Sequence, residues 1–196
     1  TSYGTSKSLS NSEALYLTDG GLDGQNVPFA PFIQPEREVD VIFAFDNSAN
    51  TKDNWPNGTA LITTFERQFG PQANMTSFPY VPDAETFLKE NLTTTPTFFG
   101  CDPSSLTDLN SIPPLIVYLA NREISYESNK STYLTYYTQE EKLSMVKNGF
   151  EISTNGNDTD LWPTCVGCAI LKRSFDRKHE ILPDVCEQCF EEYCWN

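Results

Sequence analysis

One acid stands where chemistry could be done: Asp19, in Leu15-Tyr16-Leu17-Thr18-Asp19-Gly20-Gly21. Tyr, Leu and Thr suit a pleated, half-buried backbone. The glycine pair permits a sharp exit, since glycine reaches positive φ at little steric cost. An Asp held at the end of a buried strand can be aimed rigidly and partly desolvated, as a catalytic carboxylate requires. The simpler alternative is an ordinary turn after a strand.

Other candidates are weaker. Asp19 to Gly24 (DGGLDG) hints at a calcium loop, but the oxygen ligands do not alternate and the twelfth position is Ala30 rather than an acid. Asp46-Asn47-Ser48, after an apolar run, could be a ligand site, although a helix N-cap is the simpler role. His179 is the only histidine and sits in KRSFDRKHE, which reads as a solvated helix face. A hydrolase built on this chain would therefore take its base from a residue other than histidine. The chain holds no G-x-S-x-G, P-loop, G-x-G-x-x-G or H-E-x-x-H. No metal or cofactor is expected.

The six cysteines are Cys101, Cys165, Cys168, Cys186, Cys189 and Cys194. Two C-x-x-C pairs match a zinc ribbon in spacing, because each offers two thiolates to a tetrahedral ion. A disulfide framework is favoured instead by the extra Cys194 and by the glycosylation signals, and six cysteines allow about 15 connectivities. Sequons occur at Asn57, Asn74, Asn91, Asn129 and Asn157. Each could carry a surface glycan in a secreted protein. With the cysteines they point to a secretory, cell-surface or cell-wall location.

The elements that must position these residues alternate. After a polar arm over 1–12 comes the Asp19 strand. Residues 23–38 hold three prolines and read as an ordered loop pinned by Phe29, Phe32 and Ile33. Val39 to Phe45 (VDVIFAF) and Leu115 to Leu119 (LIVYL) read as strands buried on both faces. Helices are predicted over Thr59 to Phe69, stopping at Gly70-Pro71, and from Pro82 to Leu92. Another opens at Thr138 with a capping box and ends near Asn148-Gly149. Two more run from Cys165 to Arg177 and from Pro183 to Tyr193, while Asn121 to Ser131 is polar and loop-like. The class is α/β, with too few strands for a complete sheet. We divide the chain into the 1–12 arm, a body over 13–160 and a Cys-rich helical end over 161–196.

The 196 residues suffice for a domain with a real core. A formal net charge of -14, from 27 acids and 13 bases, argues against nucleic acid as a partner. It also leaves no polybasic segment for anionic lipid. No run reaches the length of a membrane span. A chain opening at Thr1 without a signal-peptide core is expected to be a processed or excised piece.

From about Leu15 to Asn196 the sequence resembles the fungal lysophospholipase (phospholipase B) family. The blocks that carry the resemblance, in order, are LTDGGLDGQNVPFAPFIQPEREVDVIFAFDNSA, WPNGTALITTFERQFG, SFPYVPD, PTFFGCD, IPPLIVYLAN, VKNGFE, CVGCAILKR and CEQCFEEYCWN. The resemblance implies a three-layer, patatin-like α/β lipase fold. It also implies hydrolysis of acyl esters of lysophospholipids and phospholipids by a Ser-Asp dyad. Asp19 would be the dyad acid, with Gly20 and Gly21 shaping the backbone beside it. The family's nucleophilic serine, oxyanion glycines and arginine lie in an N-terminal half absent from these residues. That half is the implied partner, with peripheral contact to lipid surfaces, and the 196 residues alone should be inactive. A Ser-rich tail with a GPI signal often follows in the family. Phe29 and Phe32 could line an acyl path, with core packing as their simpler role. The competing function is a glycosylated, disulfide-stapled wall or adhesion module without chemistry.

Overall fold

The computed structural model describes residues 13–14, 17, 19–70, 75–102 and 112–195. Three strands form one sheet in the order β1-β3-β2: β1 (Val41–Asp46), β2 (Thr97–Phe99) and β3 (Leu115–Ala120). β1 runs parallel to β3, with Val41 opposite Leu115 and Asp46 opposite Ala120. β2 is antiparallel to β3. The class is α/β, as the alternation of strands and helices predicts.

β3 is buried along its whole length. Its side chains alternate between two cores, because successive Cβ atoms point to opposite faces. Ile116, Tyr118 and Ala120 join Phe29, Leu61, Phe78, Phe87 and Phe99 on one face. Leu115, Val117 and Leu119 join Phe98, Trp162, Cys165 and Cys189 on the other. β1 departs from the prediction of burial on both faces: Val41, Ile42 and Phe43 are half-buried and Phe45 is 49% exposed. Among the described residues β1 is an edge strand, so one side of its backbone lacks a ladder partner. β2 went unpredicted.

Helix α1 (Thr59–Arg67) packs Ala60 and Leu61 into the first core. It starts from Gly58 at φ 80°, where a Cβ would meet the Phe87 ring at 2.7 Å, so both backbone angle and space require glycine. Helix α2 (Ala84–Lys89) is capped by Asp83, whose carboxylate accepts the Thr86 N–H at 2.8 Å.

Helix α3 (Gln139–Ser153) opens on the predicted capping box, Thr138 with Glu141. It does not stop at Asn148-Gly149. Ile152 is buried in the second core, and Trp162 Nε1 donates to the Ser153 carbonyl at 2.8 Å. That anchoring offsets the ~1 kcal/mol that a mid-helix glycine costs.

Helix α4 (Leu161–Lys178) begins earlier than predicted, because the Asp158 carboxylate accepts the N–H groups of Asp160, Leu161 and Trp162. It ends at His179, exposed and left-handed at φ 53°. The stretch before His179 is not a wholly solvated face: Lys172 and Arg173 are buried. Helix α5 (Asp184–Tyr193) lies against α4.

All six cysteines are in disulfides: Cys101–Cys194, Cys165–Cys189 and Cys168–Cys186. The last two cross-link α4 to α5, and none of the six is left as a free thiolate for the zinc-ribbon alternative. Cys101–Cys194 closes 93 residues of chain, against 24 and 18 for the others. By loop entropy it should contribute most, about 5 kcal/mol against about 3 for each short one.

Candidate active site

Asp19 precedes a single 3-10 turn, Gly20–Asp23. Its own backbone is extended, at φ -67° and ψ 127°, and its Oδ1 accepts the Gly21 N–H at 2.8 Å. Glycine at 21 brings the backbone close to two polar side chains. A Cβ there would lie 2.7 Å from Asn26 Oδ1 and 3.2 Å from the Asp19 carboxylate. At Gly20 the nearest atom would be the Gln25 carbonyl oxygen, at 3.1 Å. The turn closes at Gly24, φ 66°, against Thr63 of α1. Arg67 of α1 donates to the Asp23 carbonyl at 2.8 Å and pairs with its carboxylate. Gln25 donates to Thr64 at 3.0 Å. The D-G-G turn is thus seated on α1, while its acid is exposed and bonded to the Gly21 N–H of its own turn.

Two expectations are corrected at this position: Leu17 is 83% exposed and lies outside any strand, and Asp19 is exposed rather than partly desolvated. Leu15, Tyr16 and Thr18 lie outside the described residues. Neither described cleft is lined by Asp19. The loop behind it, over 23–38, is ordered around Phe29 and Ile33, with one 3-10 turn at Pro35–Arg37. Phe29 is fully buried edge-on to Phe78, 5.1 Å between centroids, so it packs the core and lines no acyl path. Phe32 is 47% exposed and lines a cleft of about 460 Å³ beside Ile33 and Pro35.

Asp46 is neither a helix cap nor an open ligand. It is buried as the last residue of β1, and no helix follows before Thr59. Its Oδ1 accepts the Ser48 N–H at 2.9 Å and its Oδ2 the Tyr118 hydroxyl at 2.8 Å. Burial, then the Asp46 charge, pushes the Tyr118 phenol well above its ordinary range, so Tyr118 stays a donor. This pair locks the carboxyl ends of β1 and β3 together.

The family model for the lysophospholipase catalytic domain matches residues 1–196. The chain belongs to that family. It is 53% identical over 193 residues to a lysophospholipase of Torulaspora delbrueckii, covering 97% of this chain and 30% of the relative. Against lysophospholipase 1 of Saccharomyces cerevisiae it is 53% identical over 191 residues, 96% of this chain and 29% of the relative. A lysophospholipase of Kluyveromyces lactis is 51% identical over 193 residues, 97% of this chain and 30% of the relative. The chain spans about 30% of the length of these curated relatives. No solved structure matches it significantly.

The sequons of this lysophospholipase-family chain differ in setting. Asn91 and Asn157 are exposed. Asn57 is half-buried and accepts both the N–H and the hydroxyl of Thr59. Asn129 is half-buried and donates to the Asp53 carbonyl at 2.8 Å. Asn74 lies outside the described residues.

Two organising residues escaped the sequence reading. Asn148 is fully buried in α3, and its Oδ1 accepts the N–H groups of Ile124, Ser125 and Tyr126 at 2.9, 3.1 and 3.3 Å. Its Nδ2 donates to the Arg122 carbonyl and to Ser128 Oγ at 2.8 and 2.9 Å. One amide thus shapes the loop that leaves β3. Arg173 is 3% exposed and donates to the carbonyls of Pro113 and Gly100 at 3.0 and 2.7 Å and to Asp176 at 3.0 Å. A buried polar side chain inside a helix leaves no periodic signal; only its low tolerance for apolar replacement would reveal it.

Proposed function

We propose that the whole protein hydrolyses acyl esters of lysophospholipids, and of diacyl phospholipids, through a Ser-Asp dyad in which Asp19 is the acid. The observation that carries this reading is the family match along the entire chain, with the D-G-G turn inside it. The serine comes from residues beyond these 196, consistent with relatives about three times as long.

In that reaction Asp19 accepts the serine proton as the oxygen attacks the acyl carbonyl. Collapse of the tetrahedral intermediate breaks the ester bond, and Asp19 returns the proton to the departing glycerophospho-alcohol. Water then releases the fatty acid from the acyl-enzyme by the same steps. The exposed carboxylate of this chain must be covered by the remainder of the domain to gain the desolvation a proton acceptor needs. The free edge of β1 offers a place for the sheet to continue, toward the three-layer patatin-like architecture. Three disulfides and exposed sequons at Asn91 and Asn157 support a secreted or cell-surface protein.

The exposure of Asp19 is the observation that favours a module without chemistry. Labelling of the full-length protein with a fluorophosphonate separates the two readings. Rapid modification of one serine outside residues 1–196 is expected, slowed at least a hundredfold by Asp19→Asn, as loss of a general base predicts. Equal labelling of both proteins would overturn the dyad.

A further inference from the structure

The carboxyl ends of β1 and β3 open onto a cleft of about 290 Å³. That is the end of a parallel pair where α/β folds place ligands, and its size sits at the low end of small-ligand sites, about 300–1,000 Å³. Asn47 and Ala49 reach it from the end of β1 and Asn121 from the end of β3. Lys130, Ser131 and Thr132 line it from the following loop, and Tyr137 from the approach to α3.

The cleft is built. Asn121 and Ser128 hold each other by two bonds, Ser128 Oγ to Asn121 Oδ1 at 2.6 Å and Asn121 Nδ2 to the Ser128 carbonyl at 3.3 Å. Asn148 fixes Ser128 from behind at 2.9 Å. The wall carrying Lys130 is therefore set by a fully buried amide.

Its chemistry is unusual for this chain. Acids outnumber bases 27 to 13 overall, yet among the described residues no carboxylate lines the cleft, and its one cation there is Lys130. Lys130 makes no ion pair within 4.0 Å among the described residues; its ammonium stands 4.7 Å from the centroid of the Tyr126 ring. Contact with Tyr126 first, and Glu141 and Glu127 at longer range, raise its pKa, so it stays charged. Side chains of Asn47, Thr132 and Tyr137 carry donors with no partner among the described residues, and Ser131 keeps its O–H free while accepting the Tyr133 N–H. One ammonium with uncommitted neutral donors and no carboxylate selects an anion with several acceptor oxygens.

We propose that this cleft binds the phosphodiester of the lysophospholipid headgroup, with Lys130 as its charged contact. The inference rests on the hydrolase reading above and adds to it what the enzyme holds besides the acyl chain.

The test uses the full-length protein and two ester substrates with the same acyl chain, lysophosphatidylcholine and a monoacylglycerol. Lys130→Gln should lower the ratio of their kcat/KM values about tenfold in disfavour of the phosphate-bearing ester, mostly through KM, as loss of one charge-assisted hydrogen bond predicts. Lys130→Arg should restore most of the ratio. An unchanged ratio overturns the assignment, as does failure of Lys130→Arg to restore it.

A second arm needs no turnover. In an Asp19→Asn background, sn-glycero-3-phosphocholine should bind and Lys130→Gln should weaken it by a similar factor. Binding of inorganic phosphate but not of the diester would overturn the headgroup as the source of the phosphate. Should Asp19→Asn remain active, the dyad falls, while this binding arm still decides the cleft.

Discussion

The two ends of the sheet are built from similar residues toward opposite results. At the amino ends of β1 and β3, a cleft of about 460 Å³ is lined by Asp40, Arg173, Asp176 and Arg177. There the charges cancel. Arg177 forks onto both Asp40 oxygens, and Asp176 takes Lys172 and Arg173. Arg173 also ties Pro113, just before β3, to Gly100, just after β2. At the carboxyl ends, the buried acid Asp46 is held by two hydrogen bonds rather than by a cation, and Lys130 stands without an ion pair among the described residues. Charges that are paired hold a fold together; a charge left unpaired in a rigid cleft is available to a ligand.

Substitutions at the two ends should therefore separate stability from binding. The largest effect is expected at Arg173→Ala, which leaves the Pro113 and Gly100 carbonyls without their donor and Asp176 with Lys172 alone. A loss of about 3–5 kcal/mol, read from the urea midpoint, follows from losing three charge-assisted hydrogen bonds of a buried side chain. A shift below about 1 kcal/mol would mean the amino end is not the clamp described. Asn148→Leu comes next. It leaves three loop N–H groups without an acceptor and should cost about 2–4 kcal/mol. Amide exchange should accelerate over 122–128 specifically, and Asn148→Asp, which keeps the acceptor and loses the donors, should fall between. Equal exchange throughout the chain would deny Asn148 its local role.

These residues also mark what could be read from sequence. β1, β3, the capping box at Thr138 and the helices announce themselves through periodicity and end signals, which are local. β2 has three residues and exists only because β3 and the Cys101–Cys194 bridge lie beside it. Asn148-Gly149 imitates a helix stop; the helix continues because Asn148 is occupied by a distant loop. Lys172 and Arg173 imitate a solvated face; beside their local partner Asp176, the groups that bury them, Phe190, Pro113 and Gly100, come from other segments of the chain. The D-G-G turn was legible as a motif, but the placement of its acid depends on what packs over it.

The smallest effect belongs to Asp40. Arg177 holds its carboxyl below the usual carboxylate range, first through hydrogen bonding. A depressed folded pKa contributes stability that is complete above the unfolded value, about pH 4, and is lost as pH falls through the folded one. Both side chains are partly solvated, so Asp40→Asn should cost at most about 1 kcal/mol at neutral pH. The difference from the parent should shrink as pH falls below the unfolded value and vanish once Asp40 is protonated in the folded protein as well. A difference that persists there would assign Asp40 a role other than the ion pair.

The central claim is that Asp19, and no other acid of its turn, moves the proton. It is tested most directly by hydrolysis of lysophosphatidylcholine by the full-length protein carrying Asp19→Asn or Asp23→Asn. Asp23 shares the turn but is committed to Arg67. The account predicts a fall in kcat of at least about a hundredfold for Asp19→Asn, the scale of a lost general base, and a change within about threefold for Asp23→Asn, the scale of a lost surface ion pair. Parent-level turnover by Asp19→Asn would contradict it.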